Sequence, residues 1–336
     1  MHATDATDAM ETSGTTAATR TPGAASTGRA PLTATLTGPA TLEPAYGGSA
    51  DAVKYHYDVS RAFYQLWLDD TMSYSAALWD EAAGPADTLE AAQRRKIAFH
   101  LDHARAGSAR RLLDIGCGWG GLVGAAARLP TMREVVGLTL SDDQAHYVRA
   151  MQLANADIRL ESWVDHAPAE RYDSIVSIGA FEHFAKPADT VEEKIAVYRD
   201  FFEKCRGWLA PGGRMSLQTI AYGSMRREEA SAFINNEIFP IADLPRLAEI
   251  AQAADGVLEI SAVRNDRLHY ARTMERWAGN LRQRFGEAVE LVGETTAQRY
   301  LTYLTQSSVG FYMGKIGLLR IALRPISTRS TENREA

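Results

Sequence analysis

Cysteine is scarce in this chain of 336 residues: Cys117 and Cys205 are the only two. That excludes a disulfide scaffold and a cysteine-built zinc site. A reducing, cytoplasmic setting is the expectation. Basic residues are also outnumbered, 36 against 42 acidic ones, for a formal net charge of −6. The basic footprint that bulk nucleic-acid binding requires is therefore missing. No apolar run reaches the ~18–20 residues that a membrane-spanning helix needs. Met1 to Met10 carry neither a basic stretch nor an apolar core, so a secretory signal is not expected. No His/Asp/Glu grouping has the spacing of a metal site.

What is present suits a globular protein, with 46% hydrophobic residues, enough to bury a sizeable core. The length implies two domains or one large α/β domain. Residues 1–48 are Thr, Ala, Gly, Ser and Pro with almost no large apolar side chains. Such a composition cannot offset the entropy of ordering and reads as a disordered tail. A single domain is expected over 49–326, with a helical N-terminal lid over 49–106, a helical insertion over 221–256 and a flexible C-terminus over 327–336. Within it, Phe63, Leu66 and Trp67 have helical spacing, and a helix is expected from about Asp87 to Ala104. Strands are expected at Arg111 to Ile115, Val135 to Leu140, Ile158 to Trp163, Tyr172 to Gly179, Arg214 to Ile220, Leu258 to Val263 and Leu318 to Leu323. Between them, helices are expected at Leu122 to Leu129, Asp142 to Asn155, Val191 to Leu209, Tyr270 to Phe285 and Glu294 to Ser308. The alternation predicts a mostly parallel seven-stranded sheet covered on both faces. Val309 to Pro325 mixes apolar residues with Lys315, Arg320 and Arg324, and reads either as the final strand or as a surface helix touching lipid.

The most informative stretch is Leu112-Leu-Asp-Ile-Gly-Cys-Gly-Trp-Gly-Gly121. Glycines at 116, 118 and 121, after a strand and before a helix, suit close approach of a ligand to the backbone. Asp114 lies inside the strand end, before the first glycine. That is the form usual in S-adenosylmethionine (SAM) methyltransferases, where the acid faces a positively charged ligand. A nicotinamide site would instead place an acid at the end of the second strand; here that strand ends Gly137-Leu-Thr-Leu-Ser141.

Further segments carry a closer resemblance. Tyr55-His-Tyr-Asp-Val-Ser60, Tyr74-Ser-Ala-Ala-Leu-Trp79, Gly137 to Gln144, Val176-Ser-Ile-Gly-Ala-Phe-Glu-His-Phe184, Pro211-Gly-Gly213, Phe233 to Pro240 and His269-Tyr-Ala-Arg-Thr273 join the glycine loop. Together, from about Lys54 to Thr305, they resemble the cyclopropane fatty acid and mycolic acid cyclopropane synthases, a branch of the SAM-dependent methyltransferases. The resemblance implies a Rossmann-like class I methyltransferase fold. It implies that Tyr74 and Ser75 close over the methionyl end of SAM, that Gly116 and Gly118 admit it to the loop, and that Thr139, Leu140 and Gln144 meet the ribose. Trp163 and Val164 match the adenine position, and Ile178 the methionyl end. For Thr139, Leu140 and Trp163 the competing reading is plain packing.

The resemblance also implies a reaction centre, from which this chain departs. Family cyclopropane synthases hold a bicarbonate base through a cysteine after Tyr-Ser, the glutamate of Phe-Glu-His, a histidine ending the fifth strand and the tyrosine of His-Tyr. Here Glu182 and Tyr270 are kept, while Ala76 and Gln218 stand in place of the cysteine and histidine. An amide can hydrogen-bond an anion but supplies no charge. Glu182 is the candidate base and Tyr270 its orienting partner, against structural readings of each. His183 reads as a packed residue. Phe63, Trp67, Tyr74, Trp79, Phe181, Phe239, Tyr270 and Trp277 could face a carbocation, and no more than half are expected to do so. Ala76, Gln218, Phe239 and Trp277 are candidate substrate contacts. Arg264, Arg267 and Arg272 read as a solvated basic face or as a phosphate grip. Asp69-Asp70 reads as a turn or cap. The expected activity is C-methylation of an alkene or other apolar, carbon-rich acceptor, a lipid acyl or prenyl chain. Cyclopropanation, N- or O-methylation of a small metabolite, and SAM binding without turnover are the alternatives. Peripheral membrane contact is compatible with such an acceptor; oligomeric state is not legible.

Overall fold

The computed structural model describes residues 60–226, 229 and 243–326. The tail read over 1–48, the motif residues Tyr55 to Val59, Phe233 to Pro240 with Phe239, and residues 327–336 lie outside the described residues.

Seven strands form one sheet: β1 Arg111–Ile115, β2 Glu134–Thr139, β3 Ala156–Leu160, β4 Tyr172–Ile178, β5 Leu209–Tyr222, β6 Leu258–Asn265 and β7 Ile316–Pro325, in the order β3-β2-β1-β4-β5-β7-β6. The first five strands pair in parallel, and β7 is antiparallel to both β5 and β6. The helices are α1 Arg61–Tyr64, α2 Leu89–His103, α3 Gly121–Ala127, α4 Asp142–Arg149, α5 Val191–Trp208, α6 Leu247–Ala254, α7 Arg267–Gln283, α8 Phe285–Val292 and α9 Glu294–Tyr312. Chain order reverses between β1 and β4, which opens a crevice at the carboxyl ends of those strands.

Period-two alternation decides which side chain serves which face. Leu112 and Val135 pack with Ile97, Leu101 and Val123 on the side of α2 and α3. Leu113 and Val136 pack with Phe201, Phe202 and Ile250 on the side of α5 and α6. A third, aromatic cluster joins Phe63, Tyr64 and Trp67 to Trp277, Tyr300 and Phe311. Helix starts follow local chemistry. Thr190 and Glu193 make a reciprocal capping box on α5, and the Ser141 hydroxyl caps α4.

Four sequence expectations are corrected. Helix α4 ends at Arg149 rather than Asn155, because the Arg149 guanidinium is drawn to the Ile158 carbonyl at 2.6 Å, Gln152 is left-handed (φ 53°), and the Asn155 amide donates to Ala127 and Met132 carbonyls. Strand β3 ends at Leu160; the Ser162 side chain and carbonyl fold the chain into a turn, leaving Trp163 beyond the strand. The stretch 221–256 is not helical throughout: β5 runs on to Tyr222, paired with Ile316, and among the described residues a helix spans Leu247–Ala254. Val309 to Pro325 is not a surface helix touching lipid: α9 finishes at Tyr312, and β7 lies between β5 and β6 with Gly317 to Leu323 buried. Among the described residues no helix is long and apolar enough to cross a membrane.

Candidate active site

At the crevice the glycine loop leaves β1 and turns into α3. Gly116 has φ +80° and Gly118 φ +53°, a region that disfavours side chains. A Cβ on Gly116 would also stand 2.6 Å from the Ala180 Cβ. The loop floors a cavity of about 160 Å³. Its wall runs from Ser162 and Trp163 after β3, past Thr139, Leu140 and Gln144 at β2 and α4, to Asp114, Ile178, Tyr74, Ser75 and Lys96 at the far end.

Each part of that wall has a definite chemistry. Trp163 is held edge-on by Phe201, centroids 5.3 Å apart. The Thr139 hydroxyl donates to Gln144 Oε1 at 2.7 Å, which leaves the Gln144 NH2 for the cavity. Burial pushes the Asp114 carboxyl up to about 7, against the opposing pull of Lys96. Burial likewise pushes the Lys96 ammonium down to about 8. Its Nζ donates to Ser75 Oγ at 3.0 Å and Ser73 Oγ at 3.3 Å. An aromatic slot at one end, an amide at the middle, an acid and a base at the other, and a backbone cradle that a Cβ would fill fit a nucleoside joined to a zwitterion.

A second, smaller cavity of about 30 Å³ adjoins the first, and Tyr74, Ser75, Gly179 and His183 line both. Glu182, Gln218, Thr219, Tyr270 and Tyr303 line the rest of it with the apolar Ile220 and Leu318. Glu182 sits in the short turn Phe181–His183 just past β4 and accepts from the Thr219 hydroxyl at 3.0 Å. Desolvation raises its carboxyl to about 7, although that hydrogen bond opposes the shift. Burial pushes His183 down to about 4, so its imidazole is neutral. The Tyr270 ring packs on Phe311, centroids 4.5 Å apart.

Gln218 Oε1 accepts from Arg320 Nε at 2.8 Å and from His100 Nε2 at 3.2 Å. Arginine only donates, so the amide orientation is fixed and the NH2 is the end left for the cavity. Arg320 also pairs with Asp266 and donates to the Ala76 and Ala77 carbonyls. Ala76 is thus tied by its backbone and offers no polar side chain.

Most sequence candidates therefore converge on two joined cavities, and some do not. Val164 packs behind Trp163, its N–H taken by Ser162 Oγ and its carbonyl by Lys204. Trp277 is fully buried behind Tyr74 and Tyr270, at 5.4 and 6.1 Å between centroids. Phe63 and Trp67 are core, and Phe181 stacks on Tyr198. Trp79 lines a separate groove with Arg272 over its ring at 4.2 Å. The three arginines are not a free phosphate grip: Arg264 pairs with Asp266, Arg267 donates to the Phe311 and Tyr312 carbonyls at the end of α9, and Arg272 donates to Gly84. Asp69 is a turn cap, accepting from the Thr71 and Ser73 N–H groups.

Lys96, His100 and Arg320 were missed by sequence reasoning. The signal was faint but present. Gln93, Lys96 and His100 follow at i, i+3 and i+7 on the inward face of α2, and Arg320 interrupts an apolar strand.

The sequence pattern described as "Mycolic acid cyclopropane synthetase" matches residues 47–321. The chain belongs to this family. A probable fatty acid methyltransferase of Pseudomonas putida is 36% identical over 287 residues, covering 82% of this chain and 70% of that protein. Cyclopropane mycolic acid synthase 3 of Mycobacterium tuberculosis is 35% identical over 291 residues, covering 81% and 95%. Among solved structures, a cyclopropane synthase from Mycobacterium tuberculosis superposes with TM-score 0.72 at 32% identity, covering 82% of this chain and 98% of that one. A mycolic acid cyclopropane synthase complexed with SAH and CTAB gives the same values. This member of the cyclopropane synthetase family is a SAM-dependent methyltransferase with the class I fold, and SAM is its cofactor.

Proposed function

We propose that this enzyme methylates a carbon of an alkene in an apolar, carbon-rich acceptor, an unsaturated lipid acyl chain ahead of a prenyl chain. The relatives named for fatty acids and mycolic acids support the acyl class. The observation that carries C-methylation is the second cavity, where Glu182, Tyr270 and the Gln218 amide meet, while Ala76 and Gln218 stand in place of the cysteine and histidine of the cyclopropane synthases.

Bound SAM supplies a methyl on a positively charged sulphur, already electrophilic. The chain's part is alignment in a dry site, which can remove several kcal/mol of barrier. Tyr74 and Ser75, common to both cavities, hold the junction where methyl and alkene would meet. Attack by the alkene carbon would form the new C–C bond as the sulphur–methyl bond breaks and S-adenosylhomocysteine is released, with the cation on the neighbouring carbon. The rings of Tyr74, Tyr270 and Tyr303 around the cavity can steady it by about 0.5–2 kcal/mol each. Glu182, near neutrality by its burial, can accept the departing proton at its carboxylate. A proton taken from the adjoining chain carbon gives a methyl-branched alkene. A proton taken from the new carbon, with closure of a C–C bond, gives a cyclopropane.

That cyclopropane outcome is the second reading, favoured by the names of the relatives. It needs the anion site rebuilt on Gln218. N- or O-methylation finds support only in distant neighbours below 25% identity, which speak to fold alone. SAM with a trideuterated methyl, given to the enzyme with mono-unsaturated phospholipids, acyl thioesters, prenyl diphosphates and aromatic amines, separates the readings. An acyl or prenyl product with three deuteriums is branched. A saturated ring with two is cyclopropanation and overturns the first reading. Labelled aromatic amines would overturn both.

A further inference from the structure

The cofactor cavity holds a charged group that neither the family motifs nor the chemistry of the acceptor accounts for. Lys96, on the inward face of α2, is almost fully buried and lines the cavity beside Ser75 and Asp114. Its Nζ meets two serine hydroxyls, and among the described residues no carboxylate lies within salt-bridge distance. A buried ammonium without a counter-ion is costly and calls for one.

The sheet order says which part of the cofactor reaches it. The nucleoside of a ligand in such a crevice belongs at β2 and β3, where Gln144 and Trp163 stand. The methionyl end then extends over the glycine loop towards β4, Asp114 and Lys96. That end is a zwitterion, and the cavity offers it one acid and one base that are not paired to each other.

We propose that Lys96 is the carboxylate anchor of the cofactor site, its ammonium taking the α-carboxylate of SAM while Asp114 faces the α-ammonium. The inference concerns the cofactor end and stands whichever acceptor is methylated.

Titration calorimetry of the full chain with SAM and with decarboxylated SAM tests it without turnover. The wild type should bind SAM at least about tenfold more tightly than the decarboxylated form. Lys96→Met should bring SAM down to that weaker affinity while changing the decarboxylated form less than about threefold. Equal weakening of both ligands would mean a merely structural lysine, and a wild type indifferent to the carboxylate would end the proposal. Should Lys96→Met not fold, Lys96→Gln, which removes the charge but keeps a donor to the two serines, takes its place with the same expected and overturning results.

Discussion

Arg320 Nε and Gln218 Oε1 lie 2.8 Å apart across β7 and β5, and that bond decides which end of the amide the smaller cavity meets. The same guanidinium reaches Asp266 and the carbonyls of Ala76 and Ala77, so one buried cation ties the N-terminal segment, the start of α7 and the sheet together. Behind it, His100 completes the set through Ser216 at 2.8 Å, kept neutral by burial and by the neighbouring Arg320 charge.

Removing that cation should be expensive. Arg320→Met leaves the buried Asp266 carboxylate with only the half-exposed Arg264 as an ion-pair partner, and breaking a buried pair costs up to about 3–5 kcal/mol. The urea midpoint should fall accordingly. Arg320→Met with Asp266→Asn should regain part of the loss, since the poorly compensated buried charge is gone. A double variant no more stable than the single one would mean that the carbonyl bonds to Ala76 and Ala77, not the ion pair, carry the effect.

Burial of Glu182 costs stability at neutral pH. Its carboxyl titrates near 7 in the fold against an ordinary 4.5, so the folded state holds the proton more tightly than the unfolded one. The stability this gives is complete below about pH 4.5 and is lost as pH rises through about 7. At about 1.4 kcal/mol per unit the loss amounts to about 3 kcal/mol. Glu182→Gln keeps the neutral form at every pH. It should be more stable than wild type at pH 8 by up to that amount, match it at pH 4.5, and lose turnover. A gain independent of pH in denaturant titrations would contradict this account.

The glycine loop, the parallel strands and the residues along the cofactor cavity were legible because they depend on local pattern: apolar runs of strand length, turns that demand glycine, and motifs contiguous in sequence. Trp163 is legible only through the family resemblance, since the strand expected to end on it stops at Leu160. The charged network was not legible. Lys96, His100, Gln218, Asp266 and Arg320 come from four distant segments, and only the register of β5 against β7 brings Gln218 opposite Arg320. Pattern likewise cannot tell a basic cluster from separate pairings, as Arg264, Arg267 and Arg272 illustrate.

Gly116→Ala should test the cradle. The substitution forces a left-handed Ala, costing about 1–2 kcal/mol, and drives its Cβ to within 2.6 Å of the Ala180 Cβ. Thermal stability and SAM affinity should both drop. Adding Ala180→Gly removes the clash but not the backbone strain, so recovery should be partial. Full recovery in calorimetry and melting would show that the left-handed turn is unimportant.

Gln144 offers the sharpest test of the middle of the cavity. With Oε1 occupied by Thr139, its NH2 is the group available to a ribose hydroxyl. Gln144→Leu keeps the bulk, deletes that donor and leaves the buried Thr139 hydroxyl without its acceptor, a penalty of about 1–3 kcal/mol for the unsatisfied group. SAM affinity should fall about tenfold, about 1.4 kcal/mol, with a modest loss of thermal stability. Gln144→Glu keeps an acceptor for Thr139 and can accept from the ribose, so it should bind SAM close to wild type. If Leu binds as well as Gln, the ribose does not lie against this residue, and the order of nucleoside and methionyl ends along the wall would have to be reversed.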